Sequence, residues 1–256
     1  MIFKNSFLFL KKKIRTLYLN SNIYNKKISS FNDNSLKYRP SPSLLDCLIK
    51  YNKKKVNIKN YSLDEIWVDQ SLVEKDYENL NSFFWLFSLD LKSSKKDTQN
   101  IISQWIEKNN NYNSKNWEID IMSKRIIAWI SNSKLTYEDG GVVYRNKFNN
   151  IIKKQVNHLI NEIEKDKWVD DKMIGCAAII LAGLSYEDKK FYLSSGLNLL
   201  RKIIKFSFDS KGFPKSRNIK QLNFYLKYFV LIREWLKESQ NEIPEYIDEN
   251  IYYLGQ

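Results

Sequence analysis

The sequence predicts an all-α protein, an incomplete α/α toroid built from antiparallel helical hairpins, and three observations carry that expectation. Apolar residues recur at spacings of three and four through most of the chain beyond residue 70, the period of an amphipathic helix. Glycine and proline are scarce, seven and four in 256 residues, whereas a β-sandwich or barrel needs a turn signal every ~8–12 residues. Seven Trp, sixteen Tyr and fourteen Phe supply material for a packed core despite the many Lys and Asn residues.

Residues 1–19 hold a short apolar stretch that Lys4 interrupts and a lysine triplet follows, with no small-residue cleavage site. The stretch does not read as a secretory signal, leaves an amphipathic surface anchor open, and makes the cytoplasm the expected location. Residues 20–69 show no sustained helical period and contain Arg39, Pro40, Pro42 and a basic stretch around Lys53–Lys55, so they read as a linker with two short strands. The chain thus divides into a basic N-terminal segment, 1–69, and a helical domain, 70–256.

In the helical domain Tyr77, Leu80, Phe84, Phe87 and Leu91 line one face of a first helix. Ile101, Ile102, Trp105 and Ile106 make a second that ends in an Asn-rich run, and the two predict a hairpin. Ile119, Met122, Ile126 and Trp129 form the next, stopped by Asp139-Gly140-Gly141; Phe148, Ile152, Val156, Leu159 and Ile163 form its longer partner. Met173–Leu184 is the most apolar stretch, and its Gly175, Ala177, Ala178, Ala182 and Gly183 permit close backbone approach, so this helix is expected to be central and enclosed. Leu193, Leu197, Leu200 and Ile204 mark the following helix, a polar loop runs over 208–218, and Leu222, Tyr225, Phe229, Ile232 and Leu236 mark the last long one. Pro244 opens a short final helix.

The net charge of +13 is concentrated at one end. Residues 1–60 hold 14 Lys+Arg against 2 Asp+Glu, and residues 61–256 hold 28 against 27. A nearly neutral helical body makes a nucleic-acid role unexpected. One His, two Cys far apart in sequence and no His-Glu helical spacing exclude an evident metal site. No phosphate-cradling glycine loop exists, so no cofactor is expected. No window approaches 18 uncharged apolar residues, and a membrane-spanning helix is not expected.

Five stretches in a fixed order resemble the N-terminal helical half of bacterial heparinase II/III-like proteins: FFWLFSLDL at 83–91, WEIDIMSKRIIAWI at 117–130, QVNHLINEI at 155–163, IILAGLSYED at 179–188, and DSKGFPKSR at 209–217 leading into QLNFYLKYFVLIREWL at 221–236. The resemblance implies an incomplete α/α toroid beside a separate β-sandwich domain or chain, with an acidic, uronate-containing polysaccharide as partner. It implies β-elimination, which needs a group to neutralise the carboxylate, a base for the C5 proton and an acid for the leaving oxygen. Relatives often carry a His in the loop where Phe213 stands here, so an obvious catalytic group is lost and the chain is expected to be incomplete or inactive alone. Tyr225 and His158 remain as catalytic candidates, each with an ordinary structural explanation as a core residue. Arg125 and Trp129, four apart on one helix, are candidates for a cation and stacking platform, the alternative being a core Trp with a snorkelling Arg. Lys215 and Arg217 are candidates for binding carboxylate. The rival reading is a noncatalytic helical scaffold whose basic N-terminus meets an acidic protein, RNA or a membrane surface.

Overall fold

The structure, a computed structural model, describes residues 2–29, 35–41, 44, 74–89, 95–186 and 190–255. Its helices are α1 Ile2–Leu19, α2 Asn22–Ile28, α3 Glu74–Ser82, α4 Lys95–Asn109, α5 Ile119–Ser131, the single turn α6 Ser133–Thr136, α7 Val142–Glu162, α8 Val169–Ser185, α9 Lys190–Ser207, α10 Ile219–Glu238 and α11 Glu245–Gly255. Among the described residues there is no strand, only an isolated bridge between Phe208 and Pro214. No helix among them is long and apolar enough to cross a membrane.

Helices three places along the chain or fewer make the toroid. α3 packs on α5, α5 on α8 and α8 on α10, giving an inner row, while α7 and α9 flank α8, and α4 lies on α7. The inner row is parallel: Tyr77 of α3 bonds Asn116 just before α5, Asp120 and Asp171 of α5 and α8 line one cavity, and Gln221 of α10 donates to Asp170 of α8 at 2.7 Å. The N-termini of α5, α8 and α10 therefore share one end of the molecule. α8 is enclosed as its composition predicts, with every residue from Met173 to Ser185 buried. The close approach is real: a Cβ on Gly183 would lie 2.4 Å from the Leu193 backbone nitrogen of α9.

Two expectations need correction. The stripe from Tyr77 to Phe87 is not one helix, because the chain leaves α3 at Phe83, whose φ is 57°, and continues as a 3-10 turn over Phe84–Ser88. Phe83 is fully buried, edge-on to Trp105 and Trp129, and core packing outweighs local helix period at that residue. Leu91 lies outside the described residues. The N-terminal part also departs from the linker expectation, since 22–28 is helical and α2 packs on α7. Ser21 caps α2 by accepting from Tyr24 N–H, and Tyr24, Ile28 and Leu36 are all buried. The two short strands fall mostly on residues outside those described.

Candidate functional site

The shared end of the inner row is built from three loops, each entering an inner helix at its N-terminus. Helix N-termini carry unpaired N–H groups and a positive dipole end, which favour acidic residues in the first turn. Asp120 of α5 and Asp170 and Asp171 of α8 follow that rule. Part of this face opens into a cavity of about 600 Å³ between α1, α5, α7 and α8.

The cavity floor is aromatic. His158 is 3% exposed, edge-on to Trp117 and Tyr24, with Tyr112 tilted beside it. Its Nδ1 lies 2.7 Å from the Tyr24 hydroxyl; with the hydroxyl donating, the ring proton sits on Nε2. Burial outweighs the pull of Glu162 and pushes the imidazole pKa down to about 4, so the ring is neutral at physiological pH. Tyr24 thereby ties the N-terminal segment to the floor of the site.

Charge is arranged around that floor. Glu162 is buried, and although burial works the other way, hydrogen bonds from Lys165 and Arg15 hold its carboxyl below the usual range. Asp120 is paired with Lys124 at 2.5 Å. Asp171 is half-buried and its pKa is pushed up to about 6, first by burial and then by the carboxylates of Asp120 and Asp166. Glu118 is raised by burial and by Glu78 and Glu74. At the rim Trp168 is 60% exposed, with Lys167 over its ring at 4.9 Å. The Asp166 carboxylate accepts the Trp168 backbone N–H at 2.7 Å, which fixes the turn that holds the indole outward. Carboxylates that accept hydroxyls, beside an exposed indole face that covers C–H groups, suit a polyhydroxylated ring.

The residues singled out from the sequence go to different places. Only His158 lines the cavity. Arg125 and Trp129 share a helix face as expected, but that face is the core: both are fully buried. Arg125 stacks over Trp105 at 4.0 Å and donates to the carbonyls of Asn81 and Asn116 at 2.8 Å each, so it holds α3 and the loop before α5 to α5. Burial pushes its pKa down to about 9. Tyr225 is 1% exposed, packed on Phe208 and Phe224, and burial raises its hydroxyl pKa.

Lys215 and Arg217 are exposed on the 208–218 loop but engaged within it. Lys215 Nζ donates to the Phe206 carbonyl at 2.9 Å, and Arg217 pairs with Asp209 at 2.6 Å. Asp209 also accepts the N–H groups of Lys211 and Phe213, so one carboxylate organises the turn. Phe213 is 37% exposed beside the Arg217 guanidinium. Trp168 and Asp171 lie in the stretch 164–171 between two helical stripes, where periodicity is silent; a Trp amid charges, off the helical period, is the signal the sequence offers there.

The described helices form a helical domain with a polysaccharide-lyase-like fold. Its likeness is to the crystal structure of heparan sulfate lyase HepC from Pedobacter heparinus, with a TM-score of 0.54 and 14% identity over 83% of this chain. The chain spans 37% of that lyase's length. No family model matches the chain, and no curated protein matches it in sequence.

Proposed function

We propose that this chain is a carbohydrate-binding helical domain of the heparinase II/III-like type, which takes one ring of a uronate-containing polysaccharide into the cavity beneath Trp168 and catalyses no elimination by itself. The observation that carries the reading is the exposed Trp168 at the mouth of a carboxylate-lined cavity, on a fold shared with a heparan sulfate lyase. The carboxylates accept sugar hydroxyls, and Lys167 at the rim meets a uronate carboxylate. Elimination requires a base for a carbon-bound proton and an acid for the leaving oxygen. Phe213 can serve as neither, Tyr225 is shut in the core, and a His158 whose pKa is depressed to about 4 is a feeble base.

The test is titration of the purified chain with uronate-containing polysaccharides, following indole fluorescence for binding and ultraviolet absorbance for unsaturated product. Binding without product is expected, and Trp168→Ala is expected to weaken it by about 1–2 kcal/mol, roughly 5–30-fold. Absence of binding to any such polysaccharide would overturn the site, and steady accumulation of unsaturated product would overturn the assignment of inactivity.

A further inference from the structure

Helix α1 presents a face that the body leaves uncovered. Leu19 is buried at its C-terminal end and Arg15 reaches Glu162 of α7, and these two positions mark the attached side. On the other side Phe9, Leu10, Ile14 and Leu17 are 70%, 54%, 58% and 66% exposed. Leu10, Ile14 and Leu17 are spaced four and three, which places them in one stripe, and Phe3 and Phe7 continue the same spacing in the sequence. At 100° per residue Lys11 and Lys13 fall on either side of that stripe. Ile23 of α2 is 75% exposed as well.

The charge decides which occupant fits. Residues 1–32 carry Lys4, Lys11, Lys12, Lys13, Arg15, Lys26 and Lys27 and no Asp or Glu. A second copy laid on this face would bring lysines against lysines with no carboxylate between them, which disfavours self-pairing. A nucleic acid would meet the cations and leave the apolar stripe in water. An anionic bilayer satisfies both, with apolar side chains entering the acyl boundary and flanking lysines resting at the headgroups.

We propose that α1 docks the protein on an anionic membrane surface, its Leu10–Ile14–Leu17 stripe entering the bilayer interface while Arg15 and Leu19 keep the helix attached to the carbohydrate-binding body. The inference is independent of the sugar site. The experiment is co-sedimentation of the full chain with phosphatidylcholine vesicles and with vesicles that also contain phosphatidylserine. Binding to the anionic vesicles is expected, with at least about a tenfold loss on pure phosphatidylcholine and a similar loss for Lys11→Glu/Lys13→Glu, and wild-type binding is expected to weaken as salt is added. Leu10→Ser/Leu17→Ser is expected to lose about tenfold or more while keeping the wild-type helical circular dichroism, since both residues are exposed. No sedimentation with anionic vesicles, or binding that the serine pair leaves unchanged, would overturn the proposal. So would a concentration-dependent dimer that the serine pair dissolves in a protein that ignores vesicles, because the stripe would then belong to a second copy.

Discussion

Arg125 is where residue spacing and residue environment part company. Its i,i+4 relation to Trp129 was legible, as any helical pair is, but spacing says only that two side chains share a face and not whether that face meets solvent. The deciding contacts, to the carbonyls of Asn81 and Asn116 and the ring of Trp105, come from parts of the chain that no local pattern joins to it. Arg125→Met would leave two buried carbonyls without donors and is expected to cost about 2–4 kcal/mol in chemical denaturation. Asp171 carries the opposite liability. Its raised pKa means the folded state binds a proton more readily than the unfolded one, so its charge costs stability above about pH 6, and the cost is relieved as pH falls toward about 4. His158, depressed from the usual histidine value to about 4, works in reverse over that window, with stability lost as pH falls. Asp171→Asn is therefore expected to raise the melting temperature near pH 7.5, to lose that gain near pH 4, and to make the remaining acid side of the stability profile steeper. A melting temperature lowered at neutral pH would contradict the assignment of Asp171 as a half-buried, strained charge.

At the scale of elements, helix existence was far more legible than helix junctions. α4, α5 and α7–α10 all coincide with stripes of three-and-four spacing because each buries one continuous face. The break at Phe83 was invisible, since a left-handed residue there is held by aromatic contacts from α4 and α5 and not by a local turn residue. Glycine in α8 was readable as a contact device, and the closest approach to a neighbouring backbone is at Gly183. Gly183→Ala would set a methyl group against the α9 backbone and is expected to cost about 1–3 kcal/mol in thermal or denaturant melts. Gly141→Ala is the matched control, because a Cβ there meets nothing within 4 Å. Helix α2 went unseen for a different reason: it is only 7 residues long, too short for periodicity to register, and it is stabilised by docking rather than by propensity. Removal of residues 2–29 would expose the surface that Tyr24 and Ile28 cover. It is expected to lower stability by on the order of 3 kcal/mol or more, measurable as a fall in melting temperature.

For the molecule as a whole, the arrangement that matters is the parallel inner row. It gathers three loops distant in sequence at one end, which is why the site combines α1, the entry to α5, the end of α7 and the start of α8. The sequence expressed the rows as amphipathic stripes around one enclosed helix, enough for the fold class. It did not express which end of the rows would be hollow, because the cavity depends on loop lengths and on the cover that α1 provides. The candidates drawn from the 208–218 loop are not among the residues that line the cavity.

That cover has a consequence in time. Tyr24 meets His158 across 134 residues of chain and Arg15 meets Glu162 across 147. During synthesis the first helices leave the ribosome long before their docking surface on α7 exists. A chain emitted at roughly 5–20 residues per second leaves the apolar, lysine-bordered α1 unattached for on the order of ten seconds. In that interval the helix is free to meet whatever else it fits, and the body that later anchors it is assembled afterwards.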